Sequence, residues 1–244
     1  MTTIRQKLVW AFPPISRLAM LKARLLRKLR SRRLASMERQ VIFSEYFHTN
    51  RWGNTHSRSG AGSGLNGPRA IRETLPAILA ELDIKTLLDV PCGDFFWMQD
   101  IDIQDCRYIG CDIVEPLIEA NREKFGNNNR EFLVMDFCQT VPPTGDLLLC
   151  RDALVHLSNR DIKAAIKNFV CSDSTYLLAT TFPPIEENED IITGMWRPLN
   201  MTLPPFNFPE PLKIIDEDLD NSHERHKGKC LGLWKLSDIV ERGH

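Results

Sequence analysis

From about residue 69 onward the chain alternates two patterns of apolar placement. In the first, apolar residues run almost unbroken through 86–90, 107–112, 131–135, 145–151, 175–182, 212–216 and 229–236. Short continuous runs of this kind predict strands buried on both faces, as in a parallel sheet. In the second, apolar residues return every three or four positions. Ile71, Leu75, Ile78, Leu79 and Leu82 predict a helix over 69–82, and further helices are predicted near 95–102, 115–124 and 160–170. Strands alternating with helices predict an α/β fold, a doubly wound, Rossmann-like seven-stranded sheet. The last two strands have no helix between them. They are expected to form a hairpin, which makes the sheet mostly parallel with an antiparallel edge strand.

A different stripe precedes this body. Over 15–37, Leu18, Leu21, Leu25 and Leu29 recur at spacings of three and four, with Ile15 and Leu26 beside them. Arg17, Arg24, Arg27, Lys28 and Arg30 fall mostly on the other side, although Lys22 intrudes on the stripe. Charge sharpens the division. The formal net charge is −1, yet residues 1–39 hold eleven Lys/Arg against Glu38 alone, so +10 there leaves −11 for the rest. The chain therefore reads as a basic amphipathic arm, 1–40, on an acidic domain, 41–244. Such an arm suits the acidic body or a second copy, an anionic membrane surface, or, least favoured, nucleic-acid phosphates. The sequence does not set an oligomeric state.

Within the domain, 41–82 is expected to form a cap or lid. It carries Phe43, Tyr46, Phe47 and Trp52, then the Gly/Ser-rich 57–63, which is either a loop closing over a ligand or a plain linker. Residues 183–211 hold seven of the fifteen prolines, which excludes a regular helix. This stiff, aromatic segment is expected to wall a substrate site or to cover the sheet edge. At 244 residues and 43% hydrophobic, the chain suits one α/β domain with decorations and is too apolar for global disorder. The seven cysteines include no CxxC pair, which indicates reduced thiols and a cytoplasmic location. Pro13-Pro14 and Arg17 interrupt the early apolar stretch, so no secretory signal is expected. No run of about 18 apolar residues predicts a membrane span. A peripheral position at the inner face of the membrane follows if the arm binds lipid.

Candidate chemistry sits where the apolar runs end. Leu87-Leu88-Asp89-Val90-Pro91-Cys92-Gly93-Asp94 closes the first run with an acid and a turn, and Asp112-Ile113 closes the second about twenty residues on. That layout describes a nucleotide-type cofactor site, the second acid accepting from a ribose diol. A nicotinamide site wants three glycines for a pyrophosphate, and here Gly93 stands alone beside the acid Asp94. A cofactor without phosphates, bearing a ribose, an adenine and a sulfonium, tolerates such acids better.

On these residues the chain resembles the class I S-adenosyl-L-methionine-dependent methyltransferases. Asp89 matches the acid of the family's first motif and Gly93 its central glycine, while Pro91 and Phe95 replace the flanking ones. The resemblance implies that backbone from Val90 through Pro91 and Cys92 to Gly93 holds the methionine portion, with Asp89 orienting its ammonium group. It implies a ribose role for Asp112 with Ile113 beside it. Asp136 would accept from the adenine amino group, with Phe137 against the ring. More narrowly, LLDVPCGDFFWM, CRDALVHLS, TGMWRPLN and LGLWKL are similar to a bacterial methyltransferase group whose substrates the sequence does not name.

The fourth run leads into Arg151-Asp152-Ala153-Leu154-Val155-His156, at the edge where acceptors enter in this family. Asp152 or His156 is the candidate general base, unless the acceptor needs none. Arg151 and Arg197 are candidates for an anionic substrate group, and Trp196 and Asn200 for the substrate wall. No Asn/Asp-Pro-Pro-aromatic sequence follows the fourth run, and Pro91-Cys92 lies in the first motif. Both observations disfavour nucleic-acid base methylation. No His/Cys/carboxylate spacing indicates a metal. The expected activity is methyl transfer to a small-molecule, sugar or lipid-linked acceptor. The alternatives are a non-catalytic, membrane-recruited binding protein on the same fold and an NAD-dependent oxidoreductase or epimerase.

Overall fold

The computed structural model describes residues 17–53, 55–64, 69–103, 105–217 and 227–240. The seven apolar runs become strands β1 (Thr86–Asp89), β2 (Arg107–Asp112), β3 (Arg130–Val134), β4 (Leu147–Cys150), β5 (Tyr176–Thr181), β6 (Lys213–Asp216) and β7 (Cys230–Lys235). They form one sheet in the order β3-β2-β1-β4-β5-β7-β6. Neighbours among the first five pair in parallel, whereas β7 runs antiparallel to both β5 and β6. The antiparallel pairing stands at that edge, as the hairpin expectation has it. The reversed strand is β7, one in from the rim, and β6 is outermost.

Among the described residues, six α-helices accompany the sheet: α1 (Arg17–Ala35), α2 (Arg39–His48), α3 (Arg69–Glu81), α4 (Glu115–Phe125), α5 (Asn159–Cys171) and α6 (Leu236–Val240). Alternate strand residues serve opposite faces, the geometry a pleated strand imposes. Leu87, Leu147 and Leu149 pack with Leu75 and Ile78 of α3 and Ile118 of α4. Leu88, Leu148 and Cys150 pack with Ile162, Ala165 and Phe169 of α5. Helix α5 starts where it does because the Ser158 hydroxyl accepts the Asp161 backbone N–H at 3.2 Å. The seven cysteines all lie within the described residues and form no disulfide.

One predicted helix is absent. Residues 95–102 form successive turns, because Gly93 and Phe95 adopt φ of 55° and 57°, left-handed values that a right-handed helix does not admit. Phe95, Trp97, Met98 and Ile101 are nevertheless buried, which explains the helix-like apolar spacing.

Most of 183–211 covers the α5 face of the sheet. Leu199 and Met201 are fully buried, and Phe208 meets Trp234 edge-on at 5.3 Å between ring centroids. Beside residues 192–195 of the same segment, the last turns of α1 dock on α2. Leu34 is buried with Ile42 and Tyr46, and Arg33 reaches Glu45 at 2.6 Å. The first sixteen residues of the basic arm, Ile15 among them, lie outside the described residues. Among the described residues, no helix is long and apolar enough to cross a membrane.

Candidate active site

A cavity of about 950 Å3 opens at the carboxyl ends of β1 to β4. This is where crossover connections of a doubly wound sheet diverge and leave space for a ligand. Asp89 and Asp112 end their strands there, Asp136 follows β3, and Asp152 follows β4. Pro91, Cys92, Gly93, Ile113 and Phe137 also line the wall. Val90 does not. Its side chain is fully buried in the core on the α5 side of the sheet, so only its backbone stands near the turn.

Each carboxylate is held by a different means. Asp89 accepts the Tyr108 hydroxyl at 2.7 Å. Burial raises its pKa to about 7, although Tyr108 and Arg151 pull the other way. Asp112 accepts the backbone N–H of Val114 at 3.0 Å and of Gly93 at 3.2 Å. Burial lifts it to about 6 against those two bonds. The Gly93 contact ties the first-motif turn directly to the second acid. Asp136 is already engaged: Arg39 of α2 contacts it through Nε at 2.9 Å and through Nη2 at 2.8 Å. The same guanidinium reaches Asp161 at 3.1 Å.

The Gly/Ser segment is no loose linker. Asp94 accepts the Ser57 hydroxyl at 3.0 Å and the Arg58 N–H at 2.8 Å, while its own N–H donates to Ser59 Oγ at 2.8 Å. Ser59 lies so close to Gly93 that a side chain there would collide with it. Asp94 thus faces the loop that roofs the turn.

On the other side of the cavity stand His156, Asp152 and an aromatic wall. Trp52 packs against the His156 ring at 5.9 Å and edge-on against Tyr46 at 5.5 Å. His156 Nδ1 lies 3.0 Å from the Met195 carbonyl oxygen. A carbonyl only accepts, so Nδ1 carries the proton and Nε2 the lone pair. Burial lowers the pKa of this imidazole below its ordinary 6.5, keeping it neutral. Asp152 is the opposite case. Burial alone would raise it, but Lys229 at 2.6 Å and Arg151 at 3.4 Å outweigh that and hold it well below the usual carboxylate range.

Arg151 lines the cavity but is spent on neighbours. It pairs with Glu217 at 2.9 Å, donates to the Gly62 carbonyl at 2.7 Å and lies 5.2 Å over the Trp97 ring. Lys229 closes the network on Glu217 at 3.1 Å. Of the remaining predicted substrate residues, Trp196 reaches the cavity with its neighbours Gly194 and Met195. Arg197 and Asn200 lie outside it, because their side chains hold the Pro-rich segment in place. Arg197 donates to the carbonyls of Glu189 and Leu154, and Asn200 to those of Pro183 and Ile185.

Arg39, Tyr46, Tyr108, Glu217 and Lys229 were not singled out as site residues from sequence. Tyr108 sits in the apolar run 107–112 and Tyr46 in the aromatic cap, so both left a trace. The others gave none, since their partners are far along the chain.

Residues 87–171 match the methyltransferase domain family model. No curated protein matches the chain by sequence. Among solved structures, magnesium protoporphyrin IX methyltransferase from Synechocystis PCC 6803, with bound S-adenosylmethionine, aligns at a TM-score of 0.55 and 14% identity. That alignment covers 82% of this chain and 98% of that one. The 1,6-didemethyltoxoflavin-N1-methyltransferase of Burkholderia thailandensis, with its substrate and S-adenosylhomocysteine, aligns at 0.58 and 13% identity over 80% and 86% of the two chains. At such identities the shared property is the fold. The family model over 87–171, the sheet order and the acids at the strand ends agree. Over residues 87–171 the chain thus carries a methyltransferase domain, set in the fold of enzymes that bind S-adenosylmethionine.

Proposed function

We propose that the enzyme methylates a small-molecule acceptor, free or carried on a sugar or lipid, and that His156 takes up the acceptor's proton. One observation carries this reading: Asp89, Asp112 and Asp136 line the same cavity as a neutral histidine whose Nδ1–H is taken by the Met195 carbonyl, which leaves the lone pair on Nε2. The cavity lies at the upper end of the ~300–1,000 Å3 typical of small-molecule sites, which suits a cofactor with a modest acceptor.

The donor and acceptor chemistry of the wall fits the cofactor. Asp89 and the Pro91–Gly93 backbone offer acceptors and a donor for an amino-acid end. Asp112 keeps lone pairs for a ribose diol beyond its two backbone bonds. Ile113 and Phe137 offer apolar surface for a purine, with Asp136 at its rim. S-adenosylmethionine, when bound, supplies an electrophilic methyl group on a sulfonium. The chain's part is to orient the acceptor in line with that methyl and to remove water and a proton. Tyr46, Trp52 and Trp196 provide the apolar wall that orients the acceptor. His156 rather than Asp152 takes the proton, because Lys229 and Arg151 leave Asp152 a very weak base.

Calorimetry with S-adenosylhomocysteine tests the assignment. Asp112→Ala is expected to weaken binding at least about tenfold, the scale of losing hydrogen bonds to a charged group. Undiminished affinity in that variant, or no binding by the intact folded enzyme, sinks it.

A further inference from the structure

Helix α1 carries eight Lys/Arg and no acid in 19 residues. Its last turns dock on the body, but the described leucines of its apolar stripe do not. Leu25, Leu26 and Leu29 are 57%, 55% and 51% exposed, while Leu34 is buried. By helical geometry Leu25 and Leu29 project roughly opposite Leu34, away from the body. Arg24 and Lys28 border that stripe on one side and Lys22 on the other, and all three are exposed. Leu26 and Arg30 also line the cavity, so this surface is continuous with the cavity mouth.

We infer that α1 seats on an anionic lipid bilayer, the leucines entering the headgroup boundary and the flanking cations meeting lipid phosphates. Such seating sets the mouth of the cavity against the headgroup layer, from which an amphiphilic, lipid-borne acceptor would enter. This last clause rests on the methyl-acceptor reading of the cavity; the docking itself does not.

Three features favour lipid over the other occupants. Nucleic acid would use the cations but leave the leucines in water, a poor use of three half-exposed apolar side chains. A second copy would bring two acid-free helices of eight cations together, and like charges at close range repel. The acidic body does not cover these leucines, since they remain exposed in the docked helix. That body, net −11 beyond residue 39, is itself repelled by anionic lipid, so α1 decides which face approaches.

The test is sedimentation of the full-length protein with phosphatidylcholine vesicles made with and without phosphatidylglycerol. Binding is expected only with the anionic lipid and is expected to fall as salt rises. Neutralising two surface cations in Arg24→Gln/Lys28→Gln should weaken partitioning by about 30-fold, and Leu25→Gln/Leu29→Gln should weaken it comparably. Both variants should bind S-adenosylhomocysteine as the parent does, which shows that they are folded and keeps a failure of docking distinct from a failure of the cofactor reading. Absence of vesicle binding, or binding indifferent to lipid charge or to either double variant, overturns the inference. So does binding to polyuridylate, or a dimer seen by ultracentrifugation, in a protein that ignores anionic vesicles.

Discussion

The three strand-end aspartates share a residue type and differ in everything that sets their chemistry. Asp89 is buried against a phenol, Asp112 is held by two backbone amides, and Asp136 is neutralised by a guanidinium. For Asp89 the folded pKa of about 7 exceeds the ordinary 3.8, so folding takes up a proton between those values. Its contribution to stability is therefore greatest below the ordinary carboxylate range and is lost as pH rises through about 7. Asp89→Asn, which still accepts from Tyr108, should gain melting temperature relative to the parent as pH rises across that window. An offset that does not change with pH would show that Asp89 is not buried as a strained charge. His156 makes a different claim. Its replacement by Ala is expected to lower kcat by about 10²- to 10⁴-fold, with S-adenosylhomocysteine affinity little changed. A proposed base whose pKa is lowered sets the acid limb of kcat/KM in the parent, which should fall only below about pH 6.5. That limb should disappear in the variant. Identical pH profiles would remove His156 from the chemistry. The aspartates were legible in sequence because each closes or directly follows an apolar run. Arg39, Lys229 and Glu217 were not, because they meet their partners across 97, 77 and 66 residues of chain.

Elements were readable where one periodicity held. All seven runs became strands; β1, β2, β4, β5 and β7 are almost wholly buried, as an inner strand of a covered sheet must be, while the rim strands β3 and β6 leave Val134 and Ile214 exposed. The segment after β1 was misread for a physical reason. Burial of Phe95, Trp97, Met98 and Ile101 mimics a helical stripe, while two left-handed residues at its start keep the chain in turns. Helix α2 shows what patterning leaves out. It carries Arg39, which the charge count assigned to the arm, yet that side chain bridges Asp136 beyond β3 and Asp161 in α5. Arg39→Met strips two carboxylates of their common partner. The expected cost is about 2 kcal/mol, read as a lower urea midpoint at unchanged slope. Arg39→Lys should lose less, because an ammonium keeps the charge but not the fork. A midpoint unmoved by Arg39→Met would mean that α2 is held by packing alone.

At the scale of the whole molecule, the sheet order accounts for how distant chain segments come to share one cavity. Crossovers on either side of β1 carry β2 and β4 to flank it, so acids from positions 89, 112, 136 and 152 converge. The fold class and the acids that line one wall of the cavity followed from the sequence because they depend on run length and on what ends a run. The opposite wall did not, since it comes from the cap, the Pro-rich segment and the far edge strands, and no local pattern links them. That far edge is joined to the cavity by charge. Glu217 directly follows β6 and Lys229 directly precedes β7, and through Arg151 and Lys229 both strands are tied to Asp152. Asp152→Ala should therefore speed amide hydrogen exchange in β6 and β7 while β2 and β3 keep their protection. Equal protection throughout would show that the network is not a mechanical link. If the link holds, the outermost strands act as a remote gauge. Whatever disturbs the floor of the cavity is legible at the rim of the sheet, in how readily its last two strands breathe.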